Sequence, residues 1–356
     1  MNANKLEEII SGRMSHLSGS IHVYRGDPTF IPIRLTGGIG DNILVRDCLK
    51  TLLYNGFQLL IYSYHAEAAN YFFKDTKIHQ GEIPNFTWHL DIDTIAKFIF
   101  SDQFVGFATK EHEQLYRNQL DIFERLPVFE RLVKQHPKDK YALTRYCERI
   151  GLNARSLPAS CLGLGSLSNK RMNYYQDNPR KEPLGYMTIH DGFDVNNSSI
   201  VKNRCTKQWS TEGWTNTVSL IKKTYPKIKI VQIGSKTSRS IPGIDENLIG
   251  KTTITEAFDI LSRSVLHIDG DSGMCHAATA LNIPTIALWG STPEKFYGHA
   301  QNINLRSTKS CAGACFFLTD TWMDSCPIRY SSPRCLDDIT PEMVMDAIKQ
   351  KGLEVF

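Results

Sequence analysis

The chain has 356 residues, 41% of them hydrophobic and 22% charged, with a formal net charge of +4. This composition excludes an intrinsically disordered chain, and the length suits two domains better than a single core. The positive balance is too small to argue for nucleic acid by itself, though it suits an anionic substrate or a membrane surface.

No run of roughly 18 apolar residues occurs, so no membrane-spanning helix is expected. Residues 1–20 read as a short helix or frayed tail, too polar for a secretory signal. Nine cysteines, an odd number spread over both halves, fit a reducing, cytoplasmic compartment.

Strands are expected over residues 20–24 and 31–35. The second runs into Thr36-Gly37-Gly38-Ile39-Gly40-Asp41-Asn42, a helical pattern over 43–53, and a strand over 58–62. This is a βαβ unit with its glycine loop at the strand's carboxyl end, which predicts a parallel sheet. The loop is not a G-x-G-x-x-G fingerprint, and residues 59–64 end without an acidic residue, which counts against a nicotinamide site.

Residues 65–175 carry no catalytic pattern. A mixed apolar stretch over 95–104 precedes a charged helical segment over 111–135, a helix over 141–150 and a linker over 162–175.

From residue 178 strands and helices alternate again. Strands are expected over 186–190, 228–233, 265–268 and 285–288, with helices over 211–225, 255–264 and 274–281. A short strand and a glycine turn fall within 244–252, and Thr253 with Glu256 marks a capped helix start. The loop Gly270-Asp271-Ser272-Gly273 leads from a strand end into a helix, where α/β proteins bind anions. The ordinary alternative is a βα turn capped by Asp271 or Ser272. Near the end, Cys311, Cys315, Cys326 and Cys335 can supply a tetrahedral thiolate site of structural type, although the spacing is not that of a zinc ribbon. The alternative is buried, unliganded thiols. A closing helix over 341–351 starts at Thr340-Pro341-Glu342.

Asp271, Ser272, Gly273 and His276, followed by Gly290, Ser291 and Thr292, resemble the C-terminal signature of the family-9 glycosyltransferases, the ADP-heptose lipopolysaccharide heptosyltransferase group. The resemblance covers most of 31–63 and 186–350. It implies an α/β GT-B architecture of two Rossmann-like domains facing a central cleft. Residues 1–177 would bind the acceptor and 178–356 the nucleotide sugar. The implied reaction is inverting, metal-independent transfer of a sugar from a nucleoside diphosphate to a hydroxyl, with no catalytic cofactor.

Further expectations follow from the resemblance. Asp41 would be the base, with helix capping as its alternative role. Gly37, Gly38 and Gly40 would let the backbone approach the donor sugar. Thr206 and Lys207 would reach the phosphates, and Gln232, Gly234 and Ser235 would lie beside the base and ribose. Asp271, Ser272, Gly273 and His276 would hold phosphates and sugar, and His276 is equally readable as a packing residue. Asp269 competes with Asp271 as the working carboxylate. Some relatives bind iron at a cysteine cluster, so the quartet is expected to hold structural zinc or iron. An ADP-sugar, heptose first, is the expected donor. The acceptor class stays open among lipopolysaccharide or other lipid-linked glycan, capsule, protein and modified nucleobase, with peripheral membrane contact compatible with the charge. An inactive nucleotide-sugar-binding protein is the other class.

Overall fold

The computed structural model describes residues 29–126, 137–164, 181–192, 204–309, 311–319 and 321–352. The tail over 1–20, the strand over 20–24, residues 127–135 of the charged segment and most of the 162–175 linker lie outside these. The chain divides into two units, residues 1–135 with 152–172, and 136–151 with 173–356.

In the first unit, β1 (Phe30–Leu35) is central and apolar, and it pairs in parallel with β2 (Gln58–Ser63) and with β4 (Trp88–Ile92). With β3 (Ile78–Gln80) and β5 (Ala96–Phe100) the sheet order is β3-β2-β1-β4-β5. The helical pattern over 43–53 becomes two helices, α1 (Ile39–Leu44) and α2 (Arg46–Tyr54), which meet at Val45. The sheet is parallel except at β5, which runs antiparallel to β4. Its register sets Asp91 opposite Lys97, and Arg34 of β1 grips Asp91 through two hydrogen bonds of 2.7 and 2.6 Å. Helix α3 (Ala66–Phe72) follows β2, α4 (Lys110–Arg125) follows β5, and α6 (Leu157–Cys161) packs on α2 and β5.

The second unit contains α5 (Pro137–Ile150), although the helix falls within the first 177 residues of the chain. Six parallel strands follow: β6 (Tyr186–Ile189), β7 (Lys229–Gln232), β8 (Glu246–Asn247), β9 (Leu266–Gly270), β10 (Thr285–Trp289) and β11 (Ile303–Arg306). Their order is β11-β10-β9-β6-β7-β8. The chain therefore winds outward from β6 in one direction and then resumes on its other side at β9. This order is the doubly wound arrangement, and it leaves a crevice where the winding reverses, at the carboxyl ends of β6 and β9.

Interior strands buried on both faces read as near-continuous apolar runs. Ile189, Ile230, Ile268, Ile286 and Leu288 pack with Trp214, Val218 and Ile221 of α7 (Thr211–Thr224) and with Val344 and Ile348 of α12 (Pro341–Gln350). Each such side chain contributes roughly 1.5–3 kcal/mol of burial. The remaining helices are α8 (Ile254–Ser262), α9 (Gly273–Ala280), α10 (Glu294–Tyr297) and α11 (Arg334–Asp337). Thr253 caps α8 in a reciprocal capping box with Glu256.

Candidate functional site

The crevice of the second unit is built around a carboxylate that the solvent does not reach. Asp269, fully buried at the end of β9, accepts from Gly270 N at 2.7 Å and from Ser272 Oγ at 2.5 Å. His190 Nδ1 lies 3.0 Å from it and His267 Nε2 3.3 Å, while Thr188 Oγ1 lies 2.9 Å from the other nitrogen of His267. Burial opposes the charge of Asp269, but His190 and His267 overcome it and hold its carboxyl well below the usual carboxylate range. The parallel register sets Ile189 beside Ile268, so His190 and Asp269 emerge together at adjacent strand ends.

Asp271 faces a different set of groups. Lys207 Nζ lies 2.6 Å from its Oδ2, and His276 Nε2 lies 3.7 Å from its Oδ1. His276 Nδ1 in turn lies 2.8 Å from His299 Nε2. Burial again works against ionisation, and Lys207 with His276 depresses the carboxyl below its ordinary range. Lys207 keeps 18% of its side chain exposed and sits 5.8 Å from the centre of the Trp322 ring. An ammonium has three donors, so an ion pair with one carboxylate leaves capacity for a phosphate.

The loop carrying Lys207 is fixed from several sides. Trp209 is buried, donates to Ile339 O at 3.1 Å and meets Trp214 edge-on, so it anchors the backbone two residues after Lys207. Thr206 Oγ1 donates to Trp322 O at 2.8 Å and lies 3.1 Å from Ser291 Oγ. On the inner side the approach is backbone on backbone. A Cβ on Gly270 would stand 3.2 Å from both Gly192 Cα and Lys207 O, and Gly192 adopts φ +72. Both positions therefore require glycine.

Several expected ligands are committed to the fold. Ser272 caps α9, accepting from Met274 N at 3.1 Å and Cys275 N at 3.2 Å, so these first-turn donors are not free for an anion. Gln232 is buried and brackets the following loop, donating to Arg239 O and accepting from Ile241 N. Gly234 is pressed against Ser238, and Ser235 Oγ lies 2.8 Å from Thr237 Oγ1 within a turn. Asp191, at the end of β6, accepts from Trp214 Nε1 and is gripped by the Arg239 fork at 2.7 and 3.0 Å. No local sequence signal marks His190, His299, Arg239 or Trp322, because each finds its partner far along the chain.

In the first unit the glycine loop also lies at a reversal of winding, between β1 and β4. Gly37 has φ +85, and a Cβ there would stand 2.6 Å from Asp41 Oδ2. Asp41 is the third residue of α1, Gly40 the second, and Asp41 Oδ2 accepts from Gly38 N at 2.8 Å. The carboxylate thus caps its own helix.

The cysteine quartet lies in the segment that supplies Trp322. All four thiols are free, Cys315 and Cys335 buried and Cys311 and Cys326 partly so. Burial pushes Cys315 and Cys335 up to about 12, and the neighbouring thiols of the quartet add to the rise. Among the described residues no group of three or more His, Cys, Asp or Glu is arranged to hold a metal ion.

Residues 203–316, which contain Lys207, Asp271 and His276, match glycosyltransferase family 9 (heptosyltransferase). Within the second unit this stretch is similar to the family-9 glycosyltransferases. The lipooligosaccharide heptosyltransferase 2 of Haemophilus influenzae is 42% identical over 50 residues, 14% of each chain. That of Campylobacter jejuni is 30% identical over 105 residues, 30% of this chain and 31% of the relative. The chain thus matches less than a third of the length of these curated relatives. The iron-containing dodecameric glycosyltransferase TibC from enterotoxigenic E. coli has the same fold, with TM-score 0.56, 14% identity, and coverage of 92% of this chain and 77% of TibC. TibC solved with ADP-D-β-D-heptose aligns with TM-score 0.53 at 15% identity, over 90% of this chain and 76% of that one. Among the described residues no helix is long and apolar enough to cross a membrane.

Proposed function

We propose that the chain is an inverting glycosyltransferase that moves a sugar from a nucleoside diphosphate, an ADP-heptose-like donor first, to the hydroxyl of a glycan acceptor. The observation that carries this reading is the Lys207–Asp271 ion pair of 2.6 Å, backed by His276, at the strand ends where winding reverses. The family-9 similarity and the donor complex of the TibC relative support the donor class.

In the proposed reaction Asp41 takes the proton of the acceptor hydroxyl. The acceptor oxygen attacks the anomeric carbon from the face opposite the diphosphate, the carbon–oxygen bond to phosphate breaks, and the configuration inverts. Charge collects on the departing diphosphate, where a fixed cation such as Lys207 acts most strongly. His276 faces Asp271 with one nitrogen and His299 with the other, and its role in this reading is to orient the Lys207 pair. We also propose that the four cysteines hold a structural zinc or iron, since a soft thiolate set suits both. Nine free thiols favour a reducing, cytoplasmic setting.

The test is a thermal-shift screen against ADP, UDP, GDP, CDP and NAD(H). A ligand at about 100 times its dissociation constant adds roughly 2.7 kcal/mol to the folded state. One nucleoside diphosphate should raise the melting temperature, Lys207→Ala should abolish that shift, and Asp41→Asn should keep it while losing turnover. A shift with NAD(H) alone would sink the reading.

A further inference from the structure

A cavity of about 420 Å³ opens in the second unit between α5, the start of α10, Arg306 of β11 and the 312–313 turn. Four cations stand on its wall, Arg145, Arg149, Lys295 and Arg306, against two carboxylates, Glu148 and Glu294. Both carboxylates are engaged: Arg145 Nη1 lies 3.1 Å from Glu148 Oε2, and Arg306 Nη1 lies 3.6 Å from Glu294 Oε2. Arg149 and Lys295 have no carboxylate within ion-pair distance among the described residues. Four charges against two leave the wall two positive charges in excess.

The floor of the cavity is stiff. Gly313 N donates to Gly290 O at 2.9 Å, and with φ +71 its missing Cβ would stand 3.2 Å from Pro293 Cα. The turn is thus held against the backbone that follows β10, and the cations it borders need little rearrangement to meet a ligand.

We propose that this cavity is a second anion site, separate from the set around Lys207, and that it takes a phosphorylated sugar. The excess of two charges matches a phosphate monoester, which guanidinium forks grip in bidentate fashion. The volume falls in the range of roughly 300–1,000 Å³ that holds small organic ligands, so it admits more than a bare ion. Only Pro293 and Ala312 are apolar on the wall, so a hydroxyl-rich body fits it and an acyl chain does not. The inference does not depend on the transferase reading, since none of these residues serves the proposed donor site.

The experiment is calorimetric titration of the full chain, saturated with ADP, with glucose 1-phosphate, glucose and inorganic phosphate. Glucose 1-phosphate should bind and glucose should not. The Arg149→Gln/Lys295→Gln double variant should bind glucose 1-phosphate about ten-fold more weakly or worse. Both side chains are exposed, so its melting temperature should match the parent's, and Lys295→Arg should retain binding. Unchanged affinity in the double variant, or no binding by the parent, would overturn the site. Inorganic phosphate binding as tightly as glucose 1-phosphate would overturn the sugar component. Failure of ADP to bind would count against the transferase reading alone, and the titration would still report on the cavity.

Discussion

Asp269 and Asp271 are separated by one glycine, yet their carboxylates face different neighbours. Asp269 meets His190, His267 and Ser272, and the also buried Asp271 meets His276 and the partly exposed Lys207. The first holds strand ends and a helix start together, and the second holds the cation proposed to meet the leaving group.

Substitutions at the two positions should therefore separate stability from turnover. Asp269→Asn removes the charge from a fully buried cluster and should cost about 3–5 kcal/mol, read from the urea midpoint. Asp271→Asn releases Lys207, which can turn to solvent, so its stability cost should be smaller. Its transfer rate should fall about 100-fold, the scale of losing a positioned electrostatic group. If Asp271→Asn is the more destabilising and Asp269→Asn the less active, the two roles are reversed.

The first unit should lose stability in acid through Asp91. Burial opposes its charge, but His89, whose Nε2 lies 3.1 Å from Oδ1, and the Arg34 fork hold the carboxyl at about 2, against 3.8 for an unperturbed group. Above pH ~4 both the folded and unfolded states are ionised, and the full contribution of roughly 2 kcal/mol is present. Between pH ~4 and ~2 the unfolded state takes up the proton first, so the contribution falls away and is gone below the folded value. Asp91→Asn should flatten the urea midpoint against pH across that window. An equally steep curve in the variant would assign the acid response elsewhere.

The cysteine quartet makes a compositional prediction. Protein purified without chelator should carry stoichiometric zinc or iron by elemental analysis. Stripping the metal or replacing Cys335 by Ser should lower the melting temperature, because metal-binding energy in a structural thiolate site is folding energy. Metal-free protein with an undiminished melting temperature would return the quartet to buried thiols.

Much of the second unit was legible in the sequence because each element announces itself locally. Apolar runs, glycine loops and capping residues such as Thr253, Ser272 and Thr340 mark where strands stop and helices start. The first unit was harder to read. The pair β4–β5 carries buried charges at Asp91 and Lys97, which disguise a central strand, and α6 is only five residues long. The loops bearing Lys207 and Asp271 were visible, but not the distinction between Asp271 and Asp269, which rests on His190 lying 79 positions away. Sheet register brings those residues together, and register leaves no trace in local spacing. For the same reason local spacing does not show that Ser272 Oγ donates to Asp269 while capping α9, or that the Gln232 amide meets Arg239 O and Ile241 N.

The placement of α5 in the second unit means that the chain crosses between the units three times, near residues 135, 151 and 172. A fragment beginning at residue 178 would lack the helix that packs on α10 and would lose Arg145 and Arg149 from the cavity wall. A fragment ending before residue 152 would lack α6 from the first sheet's flank. No single nick at a crossing releases two intact bodies. Limited proteolysis should accordingly yield pieces that stay associated until denatured, and the two halves are not interchangeable modules that one crossover in a gene could recombine.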